Sequence, residues 1–207
     1  GAGSHIQVGQ FPSGSVTISK DAVWSGVDGL KTYQLGGPLY VSNGATLRIA
    51  AGVTVSMGER PVYCWEGGRL EAEGAVFRAS FNPNWNLLVG GGAGGVVEMS
   101  GCTLEGLVVS VQDKGTLNFL NGVSKASFTF NTGSKGRVEG SKLDGPIVFS
   151  GGGPVVNRNT FAGTFVNSAP FVVWDCSSDF SGVSGNTFSG AGSHIQVGQF
   201  PSGSVTI

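Results

Sequence analysis

The 207-residue sequence has few charged side chains and no cluster of basic ones. Lys and Arg together number 12, Asp and Glu number 13, and the formal net charge is −1. Binding to the phosphates of nucleic acid or to an anionic membrane surface requires clustered positive charge. We therefore expect no nucleic-acid partner. No apolar run approaches the ~20 residues of a membrane-spanning helix, so we also expect no membrane insertion.

Cysteine and histidine are scarce as well. Cys64, Cys102 and Cys176 are widely spaced, without a CxxC pair, and His5 and His194 are the two histidines. Structural metal sites use closely spaced Cys and His ligands, so we expect no metal and no other cofactor. The thiols are typical of small buried apolar side chains. One disulfide with a spare thiol, or a link between chains, remains the alternative.

Acidic residues do not form the clusters that polysaccharide-cleaving enzymes need. Such enzymes bring several carboxylates together on one face, either to hold calcium or to act as acid and base. The sequence contains no Asp-Asp, Asn-Thr-Asp or Gly-His-Gly motif. It therefore indicates a non-catalytic protein. Glu71 and Glu98, with Arg48 beside them, predict at most a small charged ladder on a solvated face.

Glycine, in contrast, is abundant, with 37 residues and no three-residue period. This excludes a collagen-like helix and predicts many turns. No stretch keeps a 3.6-residue apolar period for ten residues, whereas short apolar runs alternate with Gly, Asn, Ser and Pro. The sequence therefore predicts an all-β protein with short strands.

Apolar residues recur in three columns with a spacing near twenty residues. The first column contains Val16, Leu47, Leu70, Val97, Leu117, Val138, Val155, Val183 and Val205; the second contains Val41, Cys64, Val89, Val111, Phe130, Phe149 and Val197; the third contains Val53, Phe77, Leu104, Val123, Leu143, Phe161 and Phe188. Three columns predict a right-handed three-sided parallel β-helix, a solenoid with about eight rungs per 189-residue unit. Asn159 and Asn186 are candidates for an amide ladder at left-handed corners, with isolated Asn turns as the alternative.

The two ends of the sequence are identical. Residues 1–18 and 190–207 both read GAGSHIQVGQFPSGSVTI, so that Gly190 corresponds to Gly1 of a further copy. We interpret residues 1–18 as the last rung of a preceding repeat, and 19–207 as one repeat unit that ends in the identical rung 190–207. A natural tandem array and a deliberate duplication both remain open. The predicted contacts between repeats are made by Ile6, Val8, Val16, Trp24, Tyr33, Ile195, Val197 and Val205.

A longer motif connects these rungs to a known family. It consists of Trp24, Tyr33, Leu39, Val41, Gly44, Leu47, Ile49, Gly52, Val53 and Val55. The motif resembles the opening rungs of secreted bacterial right-handed β-helix proteins of the pectate-lyase-like superfamily, which include adhesin-like tandem-repeat proteins. The sequence has Ala51 where that family often has Pro, and a rung with Ile6 and Val8 precedes the motif. The resemblance implies an extracellular or cell-surface location.

Together these features predict a structural repeat of a long extracellular fibre, giant adhesin or surface sheath. Its expected partners are adjacent copies of the repeat, stacked end to end, because an uncapped solenoid end exposes apolar columns and an unpaired backbone edge. The alternative is a carbohydrate-binding or carbohydrate-active β-helix. That alternative would use an outward aromatic patch of Tyr40, Tyr63 and Trp65, which laterally neighbouring fibres could equally cover.

Overall fold

A computed structural model describes residues 4–9, 14–80, 86–163, 170–173, 179, 181–189 and 195–197. These residues form 26 short strands, numbered in chain order, and no helix of any kind, so none that could cross a membrane. The chain visits three parallel sheets in a fixed order, one strand in each, and then begins the next rung. The predicted all-β, three-sided parallel solenoid is confirmed, and its right-handed sense stays a prediction.

The three sheets have nine, nine and eight strands. The first sheet contains β1 (Ile6–Val8), β4 (Thr32–Leu35), β7 (Thr54–Gly58), β10 (Val76–Ala79), β13 (Thr103–Glu105), β16 (Val123–Ser124), β19 (Lys142–Leu143), β22 (Thr160–Phe161) and β25 (Thr187–Phe188). The second contains β2 (Val16–Ile18), β5 (Leu39–Val41), β8 (Val62–Cys64), β11 (Leu87–Val89), β14 (Val108–Val111), β17 (Ser127–Asn131), β20 (Ile147–Ser150), β23 (Phe171–Val173) and β26 (Ile195–Val197). The third contains β3 (Ala22–Trp24), β6 (Thr46–Ile49), β9 (Arg69–Glu73), β12 (Val96–Ser100), β15 (Thr116–Leu120), β18 (Lys135–Glu139), β21 (Val155–Asn157) and β24 (Val183–Ser184).

The core is a continuous apolar column enclosed by the three sheets. Alternate residues of each strand point inward, because successive side chains of a β-strand lie on opposite faces. The largest fully buried side chains are phenylalanines of the middle and later rungs, namely Phe119, Phe128, Phe130, Phe149 and Phe161. Burial of each side chain stabilises the folded chain by roughly 1.5–3 kcal/mol. Because these side chains lie on several rungs, the stability of the core is shared among the rungs.

One predicted column begins in the wrong sheet. Strand β2 pairs with β5, which places Val16 in the second sheet rather than the third. Ala22 takes the expected place and aligns with Leu47. Residues 25–31 form a loop closed by one antiparallel bridge. This loop lengthens the rung and explains why the spacing of apolar residues was misleading there.

Two further column members point the wrong way. Val123 is 44% exposed, and its neighbour Ser124 is fully buried in the column instead. Val155 is half-buried, whereas Val156 is fully buried. A shift of one residue moves a side chain to the opposite face of a strand, and both segments offer an apolar residue beside the inward position.

Three other members are displaced along their strands. Val138 lies one inward position later than predicted, because Gly136 stands opposite Leu117. Val183 is displaced in the same way, since it aligns with Val156, which aligns with Val138. Val53 is buried at a corner, and Val55 takes its place in the first sheet. The remaining described members align as predicted, while Val205 lies outside the described residues.

Asparagine side chains link successive rungs, as predicted. Asn159 makes two such bonds: its Nδ2 donates to the carbonyl oxygen of Val138 at 2.7 Å, and its Oδ1 accepts from the backbone amide of Ser141 at 3.0 Å. On the next rung, Asn186 Oδ1 accepts from the Asn159 amide at 3.0 Å. The ladder therefore satisfies corner groups that would otherwise be buried without partners. The left-handed residue is the one before each Asn, Arg158 or a glycine, rather than the Asn itself.

Two of the three cysteines are buried free thiols. Cys64 and Cys102 are fully buried and unpaired with each other. The Cys64 thiol donates to the carbonyl oxygen of Gly68 at 3.1 Å, and burial raises its pKa to about 11. Both thiols therefore act as small apolar side chains. Cys176 lies outside the described residues.

Candidate functional site

An aromatic cluster, formed by Tyr40, Tyr63 and Trp65, lies on the outer face of the second sheet. Tyr40 and Tyr63 are the middle residues of β5 and β8 and are aligned with each other. Their ring centroids are 4.9 Å apart with an interplanar angle of 7°. Trp65 follows β8, and its ring lies 5.5 Å from Tyr40 and 5.3 Å from Tyr63. The structure thus brings the three predicted residues together, all of them half-buried.

The stacking limits what the aromatic cluster can bind. A sugar ring would need an open aromatic face, but here each ring is stacked against the other two. The next outward residue is Leu88, aligned with Tyr63 and half-buried. Beyond it, the outward position belongs to Ser110, whose hydroxyl accepts from Gln112 Nε2 at 2.6 Å. The cluster is therefore a short apolar strip, and its role as a ligand or lateral-contact surface stays a prediction.

A charged ladder, formed by Arg48, Arg69, Glu71 and Glu98, lies on the outer face of the third sheet. Glu71 Oε2 accepts from Arg48 Nε at 2.8 Å, and its Oε1 accepts from Arg69 Nε at 2.5 Å. The Nη2 of Arg69 also pairs with Glu98 on the following rung. The ladder borders an open groove of about 730 Å³. The hydrogen bond from Arg69 holds the pKa of Glu71 below its usual value.

A second group of ion pairs lies further along the third sheet, separated from the charged ladder by Asn118. Arg137 Nη2 donates to both carboxylate oxygens of Glu139, at 3.0 and 2.9 Å, and Arg158 approaches the same carboxylate at 3.7 Å. Glu139 is only 6% exposed. Water therefore solvates its carboxylate poorly, and the two arginines balance its negative charge. Sequence reasoning missed Arg69 and Glu139. The sequence feature that could have identified them is the Arg-x-Glu spacing, which puts the two side chains on the same face of a strand.

The ion pairs contribute little to stability, and their contribution depends on pH. Glu71 is 29% exposed and Arg48 is 52% exposed, so Glu71→Gln should lower the free energy of unfolding by less than ~1 kcal/mol at pH 7. Because the folded pKa is lowered, this stabilisation is present above the unfolded value of 4.5 and is lost as the pH falls through the folded pKa. Urea unfolding at several pH values, with and without 1 M NaCl, measures it.

The control for Glu71→Gln is Glu73→Gln, on the same strand. Glu73 is exposed and is not among the ion pairs of the described residues. The control should therefore change stability less, and with less dependence on salt. Equal effects of the two substitutions at low salt would show that the ladder does not stabilise the fold.

The C-terminal end of the described solenoid exposes its core. Phe171, Val183, Phe188 and Ile195, which we call the C-terminal end surface, line a cavity of about 390 Å³. Phe188 stacks on Phe161 and Ile195 aligns with Phe171, so both lie in inward columns. Even so, Phe188 is 45% exposed and Ile195 is 43% exposed. Within the described residues, no further rung covers these apolar core positions.

The N-terminal end is better covered. Ile6, Val8 and Val16 are partly buried against the core. Trp24 and Tyr33 follow them inside the coil, with ring centroids 4.6 Å apart and an interplanar angle of 2°. The Tyr33 hydroxyl donates to the carbonyl oxygen of Ser25 at 2.8 Å. The sheets run through this region without interruption.

The duplicated segment appears at both ends, in different sheets. Strand β1 pairs with β4 in the first sheet, whereas β26, which has the same three residues, pairs with β23 in the second. Val197 aligns there with Val173, and Val205 lies outside the described residues. Residues 6–8 and 195–197 of the two copies therefore form strands at the two ends of the described coil. Their role as junction residues stays a prediction.

Comparisons with protein-family models, with curated proteins and with solved structures find no match to this chain. Within the described ranges, His, Cys, Asp and Glu side chains do not form a group of three or more that could hold a metal ion. The assignment of a function therefore depends on the geometry of the two ends and the two outer surfaces.

Proposed function

We propose that the chain is a non-catalytic structural repeat of an extracellular fibre, adhesin or surface sheath, in which units stack end to end. The observation that carries this proposal is the C-terminal end surface, where Phe188 and Ile195 occupy core columns yet remain nearly half exposed. The identity of residues 1–18 and 190–207 supports it, because residues 1–18 precede the unit 19–207 and their second copy would precede a further unit at that end. The extracellular location follows from the family resemblance alone.

Stacking is favourable for two physical reasons. Among the described residues, the last strand of each sheet has no strand partner on its outer side, and such backbone edges readily pair with another strand. The apolar side chains of the end surface also lose contact with water when another rung covers them. Each fully buried side chain of this size gains roughly 1.5–3 kcal/mol, so the exposed part of Phe188 corresponds to about half of that. A further unit supplies both backbone pairing and apolar cover.

The test uses an extended chain, in which residues 19–207 follow the full sequence five more times. Negative-stain electron microscopy should show straight rods that lengthen by roughly 40 Å per unit, from about eight rungs at the spacing of β-strands. Separate globular particles joined by links would overturn the proposal. The single 207-residue chain, imaged under the same conditions, gives the reference length.

A matched pair of substitutions tests the end surface itself. Ile195→Asp, introduced at every junction of the extended chain, should break the rods into shorter pieces because it puts a charge into an apolar column. Gln196→Asp changes the adjacent residue, which alternates to the outer face of the same strand, and should leave the rods intact. Circular dichroism of the single chain with each substitution checks that the coil still folds. Rods that survive Ile195→Asp would contradict stacking through this surface.

A further inference from the structure

The two copies of the duplicated segment lie on different faces of the coil. Ile6 aligns with Tyr33 in the first sheet, whereas Ile195, the same residue of the second copy, aligns with Phe171 in the second sheet. Both side chains belong to inward columns: Ile6 packs partly buried against the core, and Ile195 lines the terminal cavity. The isoleucine of this three-residue strand therefore takes an inward position in either sheet.

Chain length requires this change of face. The Asn159–Asn186 hydrogen bonds and the stacked rings of Phe161 and Phe188 hold β25 in the first sheet. From Phe188 the chain advances by only seven residues to Ile195. Even the most closely spaced neighbours within one sheet, β19 and β22, start as far apart as Lys142 and Thr160. The short segment after Phe188 reaches the next face, but it cannot complete a rung and return to the first sheet.

The separation between the two copies is therefore not a whole number of rungs. From β1 to β26 the chain advances by 25 strands, with three strands in each rung. That advance equals eight complete rungs and one additional strand. Every strand of the next copy therefore lies one face further round the coil than its counterpart in this one.

We infer that successive units of the array are rotated by one face, about 120°, in the direction in which the chain visits the sheets. This inference rests on the proposed end-to-end stacking and specifies its geometry. Strand β4 of the following unit then extends the second sheet of the preceding one, beyond β26, instead of its first sheet. Three units restore the starting orientation, so the rod has a three-fold screw axis with a repeat of roughly 120 Å.

The rotation determines how the rod presents its surfaces. The aromatic cluster of one unit lies on its second face, and that of the next unit lies on what the first unit has as its third face. The charged ladder moves in the same way. Any one face of the rod therefore shows the aromatic cluster once in three units, roughly every 120 Å, instead of once in every unit. Exposed apolar patches promote association, so this arrangement limits lateral contacts to widely spaced points on three sides.

Cryo-electron microscopy of the extended six-unit chain tests the inference. Helical reconstruction should give a rise of roughly 40 Å per unit and a rotation of about 120°, apart from the twist of the coil itself. Rods with a rotation near zero, or with a rotation of one face in the opposite direction, would overturn the inference and leave the proposed function standing. Separate particles would overturn the proposed function as well.

A second measurement does not require a long array. The crystal structure of a two-unit chain should place the second copy of β4 beside β26 in the second sheet. Pairing of that strand within the first sheet would overturn the inference. Two separately capped solenoids would overturn the end-to-end stacking on which it rests.

Discussion

The substitution Gly95→Ala should lower the free energy of unfolding by roughly 3 kcal/mol or more, which is among the larger effects of single substitutions. A Cβ at this position would lie 1.9 Å from the carbonyl oxygen of Cys64 and 2.5 Å from its carbonyl carbon. That carbonyl cannot turn away freely, because it accepts the Gly90 amide at 2.9 Å. The added methyl group must therefore push two rungs apart.

Gly44→Ala is the control for this prediction. Gly44 has a φ of +72°, and a Cβ there would meet no other atom within 4 Å. The substitution should cost only ~1–2 kcal/mol, the penalty of left-handed backbone for a residue with a Cβ. Urea denaturation followed by circular dichroism measures both variants. If the two substitutions cost the same, contact between rungs at Gly95 is not the reason for the glycine.

This glycine belongs to a repeated corner that the sequence revealed only in part. Gly68, Gly95 and Gly115 each precede a strand of the third sheet, and in each case a Cβ would lie 2.4 Å or less from a carbonyl oxygen of the preceding rung. The recurrent Gly-x-apolar pattern predicted a turn there and located the first column. The pattern could not distinguish a glycine needed for its backbone conformation from one needed because a carbonyl group of the preceding rung lies too close for a Cβ. The second requirement depends on the neighbouring rung, which the local sequence does not show.

The sequence predicted the architecture better than the register. Columns with a period near twenty residues were sufficient for a three-sided parallel solenoid, and most described members align as expected. The errors of sheet or of face arose at Val16, beside a lengthened rung, and at Val123 and Val155, which lie in strands of only two or three residues. In so short a strand, two adjacent residues can each be read as the inward one, and only pairing with both neighbouring rungs decides between them.

The candidate surfaces were predictable to different degrees. Tyr40 and Tyr63 occupy equivalent places in two similar segments, so their stacking followed from the alignment of the rungs. Arg69 connects Glu71 on its own strand to Glu98 on the next rung, a contact that combines alternation along a strand with pairing between strands. The change of face between the two copies of the duplicated segment required counting every strand, which apolar spacing alone could not provide.

Phe119→Ala should lower the free energy of unfolding by ~3–5 kcal/mol, the usual cost of removing a large aromatic side chain from a close-packed core. Phe119 is fully buried in β15, where it is aligned with Met99 and Val138 on the adjacent rungs. Its ring lies 5.4 Å from that of Phe128 on the second sheet. Strands on both sides fix the backbone, so the cavity cannot close by a local shift. Urea unfolding of the single chain measures the loss.

Phe188→Ala is the matched substitution at the end of the core. Its effect on stability should depend on whether a further unit is stacked there. In the single chain Phe188 is 45% exposed, so the same change should cost about half as much as Phe119→Ala, or less. In the extended chain the following unit covers Phe188 at every internal junction, and the cost per unit should approach that of Phe119→Ala. If the cost is equally small in single and extended chains, Phe188 stays exposed and the units do not stack through this surface. A cost that rises only in the extended chain requires a covering rung, which the duplicated segment begins.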